Sequence, residues 1–482
     1  MVLSDDKRVI PRYLDFKHPP RIRSILRRVI KIPEKRAGGL LDDVLHNFSY
    51  RHRDILESFR QNFDYATRHA PGMPEVSETK KLLIGAYFTM EYSIESAALF
   101  NPSAVVHPDQ ENLPPDSVRF LMSLRATGEG HVSSIVFRRG VIGPEGQMAF
   151  DPPPRYAYTS RPTPDAKLSK TLFRRKLREL GEGDRLVAGI LDEVPESFTL
   201  SQLRGALSRF RQTDVPRKIY RDVSREMLWL AQANYSLEFP RDCMPSEIVI
   251  FPATHFEQQG VEDLRLVRFV DDDGDVTFYG TYTAFDGTHI SSMLLETDDF
   301  HHFHISTLSG RYVKNKGMAL FPRKVDGYYL MLARHDGENL FLLRSQNLYV
   351  WNVSERLQGP KETWELVQLG NCGSPIETEA GWLVLTHGVG AVRQYSIGAI
   401  LLDKNDPSKV IGRLREPLMT PTPEEREGYV PNVVYSCGSV IHGDRLYIPY
   451  AMSDSRTAFA TVPAPPLLRR LKESKRRRKR KN

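Results

Sequence analysis

The sequence predicts a mainly β globular protein with two helical additions, and three observations carry that reading. From Ser246 to about Val462, runs of β-branched and aromatic residues recur about every 10 to 15 residues, each closed by a Gly- or Asp-bearing turn. LRLVRFVDDDGDVTFYG (264–280), GYYLMLARHDG (327–337), GWLVLTHGVG (381–390) and GDRLYIPYAMSD (443–454) are examples. Residues 1–98 instead place Leu41, Val44, Leu45 and Phe48, then Ile55, Leu56, Phe59 and Phe63, at spacings of three and four, the period of a helix face. Residues 165–239 hold long amphipathic segments, KLSKTLFRRKLREL (167–180) and SREMLWLAQANYSLEF (224–239), which read as a helical insertion.

In chain order this gives a helical N-terminal region over 1–98 and a sheet domain over 99–462, then a basic tail over 463–482. The sheet texture starts at Leu99 with short apolar runs, VRFLMSL (118–124) and SSIVFRRG (133–140), separated by Pro, Asp and Gly clusters. A sandwich, a barrel and a propeller all satisfy this rhythm, and no tight repeat selects among them.

Composition narrows the function classes. The chain has 482 residues, 40% of them hydrophobic, enough to fill a sizeable core. No run of about 18 apolar residues occurs, and the start, MVLSDDKRVIPRYLDF, lacks the apolar stretch of a signal peptide, so a cytoplasmic location without a transmembrane segment is expected. Cys243, Cys372 and Cys437 are widely spaced, which fits buried free thiols rather than a disulfide framework or a thiolate zinc site. The net charge of +7 is concentrated in residues 469–482, which carry +9 and leave −2 for the rest. A nucleic-acid surface spread over the whole protein is therefore not expected; the tail reads as a solvated end with weak attraction to polyanions. His301, His302 and His304 alternate over two strand faces, a poor metal cage, and GNCGSP (370–375) lacks the Lys-Ser/Thr of a phosphate-cradling P-loop.

Six segments in order then carry a resemblance: FNPSAVVHP (100–108), GVEDLR (260–265), KGMALFPRKVDGYYLMLAR (316–334), GNCGSPIETEAGWLVLTHGV (370–389), LLDKNDPSKVIGR (401–413) and YVPNVVYSCG (429–438). Together they resemble the mannoside phosphorylases and β-mannosidases of glycoside hydrolase family 130. The resemblance implies a five-bladed β-propeller with a central active site, and an inverting phosphorylase that moves a mannosyl unit from a β-mannoside to inorganic phosphate, giving α-mannose 1-phosphate. An inverting β-mannosidase using water, and a non-catalytic glycan-binding propeller, are the alternatives. No metal or organic cofactor is implied, only phosphate as co-substrate.

Glycosidic cleavage needs an acid at the leaving oxygen and a nucleophile on the opposite face. The resemblance assigns the acid to Asp263, acting through the mannosyl 3-hydroxyl, although the family more often has Pro where Leu264 stands. It assigns sugar contacts to Asn101, Arg125, Arg265 and Asp454, and phosphate contacts to Lys316, Arg334, Gln368 and His387. A phosphate dianion is best held by converging basic donors, and Gln368 departs from that pattern because an amide supplies no charge. Strand alternation keeps Glu262, Asp263 and Arg265 from all sharing one face. Tyr282, Phe285 and Tyr395 are read first as core aromatics, with sugar stacking as the alternative. The helical insertion at 165–239 fits either of two places, the rim of the pocket or a homo-oligomer contact.

Overall fold

The computed structural model describes residues 1–163, 167–182, 185–210 and 216–479, with side chains described up to 474. Its architecture is mainly β. Ten strands form the largest sheet, in the order Ala98–Val106, Val118–Thr127, Ser133–Ile142, Gly260–Val270, Val276–Phe285, Ile290–Thr297, His302–Thr307 and Tyr235–Glu238; Met148–Phe150 and Val249–Ile250 also pair with Ser133–Ile142. The halves of this sheet join at one parallel pair, Gly260 opposite Ser133, while its other pairings are antiparallel. Three smaller antiparallel sheets follow in sequence, of four, five and four strands, built around Tyr329–Ala333, Gly381–Val389 and Arg445–Met452. The last sheet returns to the first: Cys437 donates its N–H to Pro102 O at 2.8 Å, and Thr457 Oγ1 donates to Leu99 O at 3.0 Å.

The expected helical regions are present. In the N-terminal region, α1 (Pro19–Ile30), α2 (Glu34–Phe48), α3 (Ile55–Thr67) and α4 (Glu78–Tyr87) pack around Ile22, Leu26, Phe59 and Leu83. Asp54 and Ser77 accept from the third N–H of α3 and α4, satisfying donors that a helix start leaves open. Helical periodicity did not reveal the strands Val9–Tyr13 and Thr89–Ser93, which pair antiparallel and bracket this bundle. The insertion forms α5 (Lys170–Glu179), α6 (Arg185–Asp192), α7 (Leu200–Phe210) and α8 (Arg217–Gln232), and its final residues add the strand Tyr235–Glu238 to the edge of the ten-stranded sheet.

The tail corrects the expectation of a solvated end. Ala464–Lys479 is a helix, α9, whose Leu467 and Leu471 are buried among Leu383, Leu401 and Leu446. Two leucines at i and i+4, Leu467 just before the cation run and Leu471 within it, suffice to seat one face. Residues 480–482 of the predicted tail lie outside the described residues. Among the described residues no helix is long and apolar enough to cross a membrane.

Candidate active site

Two interrupted strands build the site. Gly260–Val270 slips register against its partner between Glu262 and Arg265, and Asp263 there takes the left-handed conformation, φ 58°. Ala98–Val106 slips in the same way between Phe100 and Ser103, with Asn101 at φ 50°. A bulge re-aims side chains that a regular pleat would send to opposite faces. This overturns the alternation expected along GVEDLR: Glu262 and Asp263 both meet Arg125, and the charge of Arg265 also acts on Asp263.

Around Asp263 the contacts converge. Asn101 Nδ2 donates to its Oδ1 at 2.7 Å, and Arg125 Nη1 lies 3.5 Å from the same oxygen. Arg125 is itself held by Glu262 at 2.9 Å and Ser133 Oγ at 2.8 Å, while Lys316 Nζ pairs with the other Glu262 oxygen at 2.5 Å. Burial alone would push the Asp263 carboxyl up, but Arg125, the Asn101 hydrogen bond, Lys316 and Arg265 outweigh it and hold Asp263 below its ordinary value. Asp454, also left-handed at φ 52°, shows the reverse balance: burial and then the negative charge of Asp263 push it up to about 6, against Arg125 and Arg393. Asn101 Oδ1, buried, has no hydrogen-bond partner among the described residues, an acceptor open to a ligand hydroxyl.

A second cluster lies beyond Arg265, whose guanidinium is buried and donates to Asn371 Oδ1 at 2.7 Å and to the Tyr435 hydroxyl at 2.5 Å. There His387 Nδ1 faces the Asn371 carbonyl at 3.0 Å, so Nδ1 carries the proton. Its Nε2 is then an acceptor, and Gln368 Nε2 fills it at 3.1 Å. Burial first, then the charges of Arg334 and Arg265, drive His387 well below the usual histidine range, so the ring is neutral. Gly370 stands opposite His387 in the strand pair, and a Cβ there would lie 2.4 Å from the ring and 3.2 Å from Arg334 Cδ. Only glycine lets Arg334 and His387 close over that strand. Tyr395 lies parallel to His387 with ring centroids 5.8 Å apart, and Tyr435 meets it edge-on at 5.0 Å.

The structure thus brings Asn101, Arg125, Asp263 and Asp454 together, and separately groups Arg334, Gln368 and His387. Lys316, expected with the phosphate contacts, is paired on the carboxylate side through Glu262. Arg265, expected at the sugar, touches Asn371 and Tyr435 and links the two groups.

Residues 232–473, half of the chain, match the sequence profile of glycoside hydrolase family 130, described as beta-1,4-mannooligosaccharide phosphorylase. The chain belongs to this family. A 1,2-beta-oligomannan phosphorylase of Thermoanaerobacter sp. (strain X514) is 33% identical over 252 residues, covering 51% of this chain and 81% of the relative. A beta-1,2-mannobiose phosphorylase of the same strain is 33% identical over 256 residues, covering 52% of this chain and 80% of the relative. The solved beta-1,2-mannobiose phosphorylase of Listeria innocua aligns with a TM-score of 0.47 at 20% identity, over 79% of this chain and 93% of that one.

The family match starts at residue 232, so Asn101 and Arg125 lie outside it, yet they reach Asp263 directly. Glu262, expected to hold the sugar or the loop, holds Arg125 and Lys316 instead, and Asn371 and Tyr435 were not expected in the site, although each sits in one of the six motifs. Tyr282, by contrast, is a core residue: its hydroxyl and that of Tyr235 both donate to buried Glu257.

Proposed function

We propose that this member of family 130 is an inverting phosphorylase of β-mannosides, built as a five-bladed β-propeller, that transfers a mannosyl unit to inorganic phosphate and releases α-mannose 1-phosphate. The observation that carries the reading is a two-part site joined by buried Arg265. One part is poised for a sugar, with Asp263 held by Asn101 and Arg125 and with Asn101 Oδ1 open to accept from a hydroxyl. The other gathers Arg334, His387 and Gln368 where an anion would enter. The propeller reading is supported by splitting the ten-stranded sheet at its single parallel pair, which yields five antiparallel groups, and by the return of the last group onto the first.

In this reading Asp263 gives its proton to the leaving oxygen by way of the mannosyl 3-hydroxyl, while phosphate attacks the anomeric carbon from the opposite face. Asp263 is ionised in the free enzyme near neutrality, and the Asp263–Asp454 pair takes up a proton near pH 6. Substrate that expels water strengthens the upward push of burial on Asp263 and brings it into the protonated form the step needs. No metal or organic cofactor takes part.

One observation favours water as the acceptor instead. The neutral amide of Gln368 occupies His387 Nε2 and adds no charge there, which leaves the anion side with Arg334 and with Arg265, whose guanidinium already donates to Asn371 and Tyr435. A panel of linkage-defined β-mannobioses, assayed with and without phosphate, separates the two. Phosphorolysis yields mannose 1-phosphate only with phosphate present; equal cleavage without phosphate, giving free mannose alone, would refute it. Asp263→Asn is expected to lower turnover by at least about 10²-fold.

A further inference from the structure

The N-terminal region lies outside the family match, which starts at residue 232, yet it reaches the rim of the site. Its strand Thr89–Ser93 meets the turn over 128–132, which joins the strand of Arg125 to the strand of Ser133. The buried Tyr92 hydroxyl donates to Glu129 O at 2.9 Å, with Val132 O at 3.2 Å, and so pins both ends of that turn. Gly128 is where the two segments touch: a Cβ there would lie 2.2 Å from Ser93 O and 2.7 Å from the Tyr92 hydroxyl. Within the turn Gly130 and His131 are left-handed, at φ 67° and 59°, and His131 is exposed.

The His131 ring stacks on Tyr429, with centroids 5.3 Å apart and planes 23° from parallel. The two come from different walls of the carboxylate side. His131 stands two residues before Ser133, whose hydroxyl accepts from Arg125 at 2.8 Å, and Arg125 in turn faces Asp263. Tyr429 precedes Val430, whose N–H donates to Ser453 O at 3.0 Å, and Ser453 adjoins Asp454. Tyr429 is nevertheless 67% exposed, so an aromatic surface anchored from both walls stays open to solvent. A second turn of the same build borders the same place. Gly390 takes φ −104°, ψ −158°, as Gly128 takes φ −111°, ψ −155°, and Val392 and Arg393 are left-handed at 55° and 53°. The charge of Arg393 acts on Asp454, while its guanidinium, 5.7 Å from the Tyr395 ring centroid, has no hydrogen bond or ion pair among the described residues.

A pyranose offers an apolar C–H face ringed by hydroxyls, and a flat aromatic surface beside a free hydrogen-bond donor matches both features. We propose that His131 and Tyr429, with Arg393, form a subsite for the leaving sugar chain of an oligomannoside, and that the N-terminal region holds the His131 side of it through Tyr92. This rests on the reading that the Asp263 side encloses the mannosyl unit to be transferred. The remaining sugars then run outward past Asp454, across the exposed residues that border it. The N-terminal addition thereby acts in substrate selection, because it fixes a turn that the matched part of the family cannot supply.

The test is calorimetric titration of β-1,2-mannotriose, β-1,4-mannotriose and mannose into the full chain carrying Asp263→Asn, in which slow turnover leaves binding to be read by itself. Adding Tyr429→Ala or His131→Ala should weaken the better-bound trisaccharide by about five- to tenfold and leave mannose within about twofold. Tyr92→Phe keeps the buried ring and removes only the hydroxyl; it should weaken the trisaccharide by about three- to fivefold, again sparing mannose. Equal weakening of mannose and trisaccharide would mark a general structural effect, and unchanged trisaccharide binding an idle surface; either overturns the proposal. Unchanged binding in Tyr92→Phe alone would overturn the part given to the N-terminal region. Trisaccharide binding that depends on Tyr429, in a chain whose parent cleaves no β-mannoside, would refute the catalytic reading and uphold the subsite, whereas no binding of either trisaccharide refutes both.

Discussion

Asp454→Asn should make the protein more stable while impairing it as an enzyme, and the gain should follow pH in a defined way. The Asp454 carboxyl titrates at about 6, against an ordinary 3.8. Folding therefore favours its protonated form, and a group of this kind costs stability once the unfolded chain has lost the proton. Between about pH 4 and 6 the unfolded state releases first, so stability falls as pH rises; above 6 the full penalty persists. A difference of about 2 pH units is worth about 3 kcal/mol, reduced to about 1–2 kcal/mol by solvent reaching this partly exposed side chain. Asparagine keeps the shape and discards the charge. Thermal unfolding of parent and variant from pH 3.5 to 8 should show the variant about 2 °C more stable at pH 8, with the difference shrinking through pH 6 and gone below about pH 4. A gain of equal size at pH 4 and pH 8, or a loss at pH 8, would refute the burial-and-repulsion account of Asp454.

Two further substitutions probe the anion side of the site and the packing of the Cys437 segment. Gln368→Lys adds the missing cation beside His387 and Arg334, and the KM for phosphate should fall by about five- to tenfold with a smaller change in the KM for mannoside; an unchanged or higher phosphate KM would place the anion elsewhere. Gly373→Ala forces a side chain onto φ 109°, with its Cβ 2.2 Å from Cys437 O. Its cost should exceed about 3 kcal/mol in denaturant unfolding, and a loss below about 0.5 kcal/mol would show that the Cys437 segment yields.

Much of this was legible in the sequence, for identifiable reasons. Evenly spaced turns announced the sheets because many strands close on Gly or Asp, and period-3.6 patterning announced the two helical regions. Asp263, Asn101 and Arg125 were found through motifs far apart in the chain that the fold brings to one carboxylate. The bulges at Asp263 and Asn101 were not legible. Alternation assumes a regular pleat, and whether a strand slips is settled by what its neighbours demand; here Asn101 and Asp263 are both left-handed and bonded to each other. The role of Arg265 was hidden for a related reason, since its partners Asn371 and Tyr435 lie more than a hundred residues downstream. The tail helix escaped because charge dominates the composition of 469–482, while two leucines decide where its first half sits.

The closure of the last sheet onto the first bears on how the enzyme is made. Asn101 and Arg125 leave the ribosome long before Asp454 and the strand Arg456–Pro463 that seals the first sheet through Thr457. Contacts of such sequence separation form late and slowly. A chain truncated before residue 454 would carry Asp263 and still lack a finished pocket, so the strand that follows Asp454 decides whether a catalyst or only a partly assembled sheet has been produced.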